Sequence, residues 1–312
     1  MVMQWVWCAT FVCCALLCTA ADYKEEFSGK VALVTGGSSG MGYQAALQLA
    51  QNGARVIITA RDSIPSWFNG SDAAARISDD PLVQENGGSV RFVKADMSNR
   101  DDVKALFQSI EENENDLHFA INCAGIAGAM GTLVENIPFF QGPYDPLRNN
   151  LYATVYSLMY ELRFMNKKNH TGAIVSISST DGLRGTAAGA LYSASKWGIV
   201  GLTRSVAVAH SVPSEGMPFI RVNAVAPTLT NTSLAWQQVK WMHDGTTQPW
   251  EGDYITPSHP LWQEYGTKWI DMLKGKHMAS TKMIADPLLW LLSSEASYIT
   301  GQTLPIDRGS LA

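Results

Sequence analysis

Short β-branched and apolar runs alternate along the chain with longer stretches in which apolar residues recur every three to four positions. KVALVTGG, residues 30–37, predicts a buried strand that runs into a glycine turn. MGYQAALQLAQNG, residues 41–53, predicts a helix with Gly53 past its C-terminal end. RVIITA, residues 55–60, is the second strand. Residues 61–89 hold Pro65, Gly70, Pro81, Gly87 and Gly88 and read as a loop-rich crossover with one short helix over 72–78. SVRFVKAD, residues 89–96, is the third strand, and DDVKALFQSIEEN, residues 101–113, a helix. DLHFAINCAG, residues 116–125, is a fourth strand ending in glycine, followed by a helix over 146–165. The strand GAIVSISS, a helix over 192–210, the strand FIRVNAVAP, the helix MIADPLLWLLSSEA and the strand QTLPID complete the series. Strands alternating with helices predict an α/β fold, a Rossmann-type doubly wound parallel sheet in one domain. Such sheets bind ligands beyond the carboxyl ends of their strands.

The first residues do not fit this alternation. Residues 5–21 form an apolar run without charge, followed by Asp22, Lys24, Glu25 and Glu26. This pattern predicts a secretory signal peptide over residues 1–21, cleaved near Ala20 or Ala21. An uncleaved membrane anchor is the alternative, because the run approaches the ~20 residues a spanning helix needs. Four of the five cysteines (Cys8, Cys13, Cys14 and Cys18) lie in this leader, so cleavage leaves Cys123 alone and excludes an intrachain disulfide. Sequons at Asn69, Asn169 and Asn231 agree with a glycoprotein of the secretory pathway, in the endoplasmic-reticulum lumen or outside the cell. The rest, residues 28–312, reads as a single catalytic domain. The formal net charge of -5 and the absence of a basic block argue against nucleic acid as a partner.

Tyr192 and Lys196 stand four residues apart in LYSASKWG and share one face of the predicted helix. A lysine beside a phenol favours the phenolate and suits it to acid–base work, although the spacing by itself equally describes an ordinary surface pair. TGGSSGMG, residues 35–42, links the first strand to the first helix, where glycines admit a pyrophosphate to the helix N-terminus.

With these pieces in order, the chain resembles the short-chain dehydrogenase/reductase family from about residue 30 to 307. TGGSSGMG matches the family's Thr-Gly-x-x-x-Gly-x-Gly, NCAG at 122–125 its Asn-Asn-Ala-Gly, and ISS with YSASK its catalytic serine and Tyr-x-x-x-Lys segments. NNLYA, residues 149–153, resembles the segment bearing a catalytic asparagine, here Asn150. The extended branch carries Gly-x-x-Gly-x-x-Gly, and enoyl reductases set Tyr and Lys further apart, so neither fits. The resemblance implies that Tyr192 transfers a proton to or from the substrate oxygen and that Ser179 hydrogen-bonds that oxygen. It further implies that Lys196 favours the tyrosinate and holds the ribose, while Asn150 supports a water relay. Thr35, Gly36, Ser38, Ser39, Gly40, Met41, Gly42, Asn122, Ala124, Gly125, Tyr192, Lys196, Pro227, Thr228 and Thr232 would surround the cofactor. Asp96, with Met97, resembles the adenine contact; its other reading is a helix N-cap.

Ala60 ends the second strand where an acidic residue would select NAD, and Arg61 follows it, suited to the phosphate of NADP. NADP (NADPH) is therefore favoured, with NAD as the alternative. Three departures from the family touch the cofactor loops: Cys123 in NCAG, Thr228 after Pro227 where glycine is usual, and Arg308 in DRG. Cys123 reads as a small buried residue rather than a reactive thiol.

Residues 228–280 form a long substrate-loop region with five of the ten tryptophans: Trp236, Trp241, Trp250, Trp262 and Trp269. They suit an aromatic lid over a bulky apolar alcohol or ketone, or equally a small subcore or subunit interface. The Asn231 sequon overlaps Thr232 and is expected to stay unmodified. The six histidines show no metal spacing, and His210 reads as a surface residue. The family expectation is a homodimer or homotetramer. A non-catalytic dinucleotide-binding or interaction protein is the rival reading, opposed by the intact Ser179, Tyr192 and Lys196.

Overall fold

The computed structural model describes residues 23–61, 69–128, 145–186, 189–213, 218–236 and 278–312. Seven parallel strands stand in the order β3-β2-β1-β4-β5-β6-β7. They are β1 (Val31–Thr35), β2 (Arg55–Ala60), β3 (Ser89–Lys94), β4 (Phe119–Asn122), β5 (Gly172–Ile177), β6 (Ile220–Pro227) and β7 (Thr303–Ile306). Every residue of β1, β4 and β6 is buried, as continuous apolar runs demand when both faces of a sheet are covered. The helices are α1 (Lys24–Phe27), α2 (Gly40–Gln51), α3 (Gly70–Ser78), α4 (Pro81–Glu85), α5 (Arg100–Asn113), α6 (Ala153–Lys168), α7 (Ala190–His210) and α8 (Thr281–Leu292). One core lies between the sheet and α2, α3 and α8, the other between the sheet and α5, α6 and α7.

β1 pairs with β2 on one side and β4 on the other. The direction of winding reverses there, which opens a crevice at the carboxyl ends of these strands. Arg221 ties the far half of the sheet together. Its buried guanidinium donates to the carbonyls of Leu291, Leu292 and Ser293 at 2.5, 2.8 and 2.9 Å, anchoring the C-terminus of α8 to β6.

Three local expectations change. The crossover after β2 holds two helices, because Asn69 caps α3 through Ser71 N and Asp80 caps α4 with Pro81 in its first turn. The helix predicted from residue 146 opens as a π turn, Leu147–Tyr152, before α6. The folded body also begins before residue 28: Phe27 is fully buried and meets Phe119 edge-on at 5.1 Å. The expected leader, residues 1–21, lies outside the described residues. Among those described, no helix is long and apolar enough to cross a membrane.

Candidate active site

The glycine turn forms where β1 delivers the chain into the crevice. Gly36 adopts φ 67°, and a Cβ there would come 2.9 Å from Ala124 Cα. A Cβ on Gly42 would lie 2.3 Å from the Gly36 carbonyl oxygen, so α2 can close onto the turn only without a side chain. Ser39, the N-cap of α2, makes no side-chain capping bond, which leaves the first N–H groups of the helix free of that partner. Thr35 Oγ1 accepts from Cys123 N at 3.1 Å and Ala124 N at 3.2 Å, fastening β1 to the segment after β4. Gly42→Ala is expected to weaken dinucleotide binding by at least about tenfold, because even a small misplacement of positioning groups is costly. Equilibrium titration of the variant checks this; wild-type affinity would contradict the packing argument.

The residues expected to carry the acid–base chemistry stand across the same crevice. Ser179 follows β5, and Tyr192 and Lys196 lie one turn apart on α7. Ser179 hydrogen-bonds the Tyr192 phenol. Lys196 Nζ donates to the Ile177 carbonyl at 2.9 Å and lies 5.6 Å from the centroid of the Tyr192 ring. This differs from a simple lysine-tuned phenol. Burial raises the Tyr192 phenol above its ordinary value, with Asp181 adding to the rise and Ser179 opposing it. Burial also pulls Lys196 down to about 8. Desolvation dominates because protein atoms crowd both groups and the ammonium is directed at a carbonyl rather than at the phenol oxygen.

Asn150 sits in the π turn and is fully buried. Its Oδ1 accepts from Ile126 N at 2.7 Å, and its Nδ2 donates to Ile126 O at 2.9 Å and to Ser195 Oγ at 3.0 Å. Both amide hydrogens are thus engaged by protein groups. The side chain clamps the loop after β4 to α7 rather than offering those hydrogens to water.

These elements enclose a cavity of about 490 Å³. Gly36, Ser38, Ser39, Gly40, Met41, Arg61, Asp96, Met97, Ala124, Gly125, Pro227, Thr228 and Thr232 line it together with Ser179, Tyr192 and Lys196. Thr35, Gly42, Asn122 and Asn150 do not. Thr35 and Gly42 shape the turn from behind, and Asn122 points into the core, donating to Glu161 at 3.1 Å. Asp96 is not the N-cap of α5. That role belongs to Asn99, whose side chain accepts from Asp101 N, while Asp96 Oδ1 accepts from Ser98 N and Oγ. Arg61 Nη1 donates to Asn149 Oδ1 at 3.1 Å, a pairing absent from the sequence pattern. Asp181 and Arg184 also reach the cavity and were not foreseen, since they belong to no spaced motif. A glycine cradle, uncapped helix N–H groups and a long cleft fit a nicotinamide dinucleotide.

A profile described as short chain dehydrogenase matches residues 30–243. The chain belongs to the short-chain dehydrogenase/reductase family. It is 33% identical over 296 residues to the 3beta-hydroxysteroid dehydrogenase of Mediterraneibacter gnavus, covering 91% of this chain and 95% of that protein. It is 28% identical to the levodione reductase of Leifsonia aquatica over 92% of this chain and 96% of the relative. A crystal structure of levodione reductase superposes with a TM-score of 0.74 at 27% identity, covering 92% of this chain and 99% of the other. The protein is an oxidoreductase acting on CH–OH and C=O groups with a nicotinamide dinucleotide.

Within this dehydrogenase, the three departures are accommodated. Burial pushes the Cys123 thiol up to about 11, which keeps it protonated at neutral pH. Thr228 N donates to Ile306 O at 3.1 Å, tying the loop after β6 to β7. Arg308 takes φ 51°, the conformation a glycine would adopt with less strain, and Asp307 accepts from Gly309 N, Ser310 Oγ and Leu311 N around it.

Trp236 is buried, in keeping with the subcore alternative, and its Nε1 donates to Asn231 Oδ1 at 2.8 Å. Trp241, Trp250, Trp262 and Trp269 lie outside the described residues. His210 is half-buried, and burial lowers its pKa. At the opposite end of the sheet, the fold gathers Asp116, His118 and His170, with their candidate ligand atoms within 4.8 Å of one another. Val31 N donates to His118 Nδ1 at 3.2 Å, which places that imidazole's proton on Nε2, 3.5 Å from Asp116 Oδ2. The nitrogen facing the cluster therefore carries hydrogen rather than a lone pair for a metal.

Proposed function

We propose that the protein is an NADP(H)-dependent oxidoreductase that interconverts a bulky secondary alcohol and its ketone. The observation that carries this reading is the convergence of Ser179, Tyr192 and Lys196 on one wall of a cleft whose opposite wall is the glycine turn. When bound, the nicotinamide supplies or accepts the hydride. Ser179 would hold the substrate oxygen beside the Tyr192 phenol, and Tyr192 would give it a proton in reduction or take one in oxidation. Lys196 would donate to the ribose hydroxyls, and the clamped Asn150 would keep the loop at Ile126 in place. Leu229, Leu234 and Ala235 contribute apolar surface where the substrate would enter. Relatives named for a hydroxysteroid and for levodione support a sizeable carbonyl or alcohol substrate.

Arg61 carries the cofactor choice. It follows Ala60 at the end of β2, lines the cleft and presents a guanidinium suited to a ribose phosphate. Fluorescence titration is expected to give NADPH at least about tenfold tighter than NADH, the range of a charge-assisted contact, and Arg61→Ala is expected to erase most of the difference. Tighter NADH binding by the wild type would overturn the preference. The apolar run over residues 5–21 supports placement in the secretory pathway, by cleavage or anchoring.

A further inference from the structure

Asp181 is the least explained charged group on the cavity wall. It is the second residue after Ser179, in the turn Thr180–Gly182. Both of its backbone polar groups are fixed by the catalytic elements: Asp181 N donates to Ser179 Oγ at 3.1 Å, and Ser193 Oγ donates to its carbonyl at 2.6 Å. Asp181 lines the cavity, and its carboxyl group acts electrostatically on the Tyr192 phenol. Among the described residues, no hydrogen bond and no ion pair within 4.0 Å ends on that carboxyl group. It does not cap its own turn, since Ser179 does so. Burial raises its pKa, with Arg184 opposing the rise, so the carboxyl group remains an acceptor that no described protein donor engages. A donor on the substrate would satisfy it.

We propose that Asp181 accepts a hydrogen bond from a second hydroxyl of the substrate, so that the enzyme takes diols and hydroxyketones in preference to their singly oxygenated counterparts. This rests on the alcohol/ketone reading above and narrows it. Arg184 decides between a hydroxyl and an ammonium. Arg184 lines the same cavity three residues on, and its guanidinium interacts electrostatically with Asp181 and donates to the Ser310 carbonyl at 3.4 Å. A cation beside the acceptor disfavours a second cation and tolerates a neutral donor.

The test compares kcat/KM for matched pairs on the full-length enzyme. The probes are cyclohexanol with the 1,2-, 1,3- and 1,4-cyclohexanediols, and a 3-hydroxy with a 3,17-dihydroxy androstane. The wild type is expected to prefer at least one diol over its mono-ol by about 10- to 100-fold, the worth of a hydrogen bond to a charged group. Asp181→Asn, which keeps an acceptor oxygen but no charge, is expected to reduce the ratio to a few-fold, and Asp181→Leu to bring it to about unity. A ratio near one in the wild type, or one unchanged in Asp181→Leu, would overturn the assignment while leaving the alcohol/ketone function standing. Preference for 4-aminocyclohexanol over every diol would replace the hydroxyl with an ammonium and also overturn it. Turnover of no pair would overturn the inference for these diols, while dinucleotide binding measured separately would report on the alcohol/ketone reading. The asparagine variant guards against a leucine variant that fails to fold.

Discussion

Tyr192→Phe is expected to lower kcat by about 10²–10⁴-fold, the range for a lost general acid–base group, and to leave dinucleotide affinity within about twofold of wild type. The phenylalanine keeps the ring that packs beneath Lys196 and loses only the hydroxyl bonded to Ser179. The pH profile sharpens the prediction. The phenol lies above its ordinary value, so it remains protonated through neutral pH and is ready to donate during carbonyl reduction. Oxidation needs the phenolate, so its rate is expected to rise with pH across the neutral range. In the reductive direction the first alkaline limb is expected near 8, where Lys196 loses its proton. Initial rates and cofactor titrations on both proteins check these points. A phenylalanine variant that retains wild-type turnover would sink Tyr192 as the proton-transfer group.

Glu161→Gln is expected to stabilise the protein by up to about 3 kcal/mol at pH 7 and to flatten its stability between about pH 5 and 8. Glu161 lies fully buried on α6, where burial raises its carboxyl to about 8 and the Asn122 amide opposes the rise. The folded state therefore binds this proton more tightly than the unfolded chain. Stability from this group is greatest at low pH, falls as pH climbs from the ordinary carboxylate range through about 8, and is flat beyond. The glutamine side chain would carry no charge at any pH, still accept from Asn122 Nδ2, and keep a donor where the protonated carboxyl group has its O–H. Among the described residues, Glu161 Oε1, Asn122 Oδ1 and Ser176 Oγ have no hydrogen-bond partner, and Asn122 pairs in register with Ser176. Urea unfolding at pH 5.5, 7 and 8.5 provides the measurement. An identical pH slope in variant and wild type would show that Glu161 is not the buried proton site.

The sheet was legible because its strands are short apolar runs buried on both faces, and periodicity of that kind is local. Tyr192 and Lys196 were legible for the same reason: their spacing sets a shared helix face whatever surrounds the helix. The second crossover helix was present in the sequence as Asp80 followed by Pro81, a start signal hidden by the density of glycine and proline around it. Asp181 carried no such mark. Its importance comes from the turn that brings it against Ser179 and Ser193, two residues on different elements.

By itself the sequence determined the order and type of the main elements, the glycine turn and the candidate set of Ser179, Tyr192 and Lys196. Each of these depends on residue type and near-neighbour spacing. Only the tertiary structure decided the electrostatics and the supports. Burial, which no short segment contains, turned the expected lysine-lowered phenol into a raised one and left Glu161 holding its proton. Long-range contact committed Asn150 to Ile126 and Ser195, Asn122 to Glu161, and Arg61 to Asn149. Desolvation and cross-chain hydrogen bonding are properties of the assembled interior, so they emerge only when residues distant in sequence close around the same space.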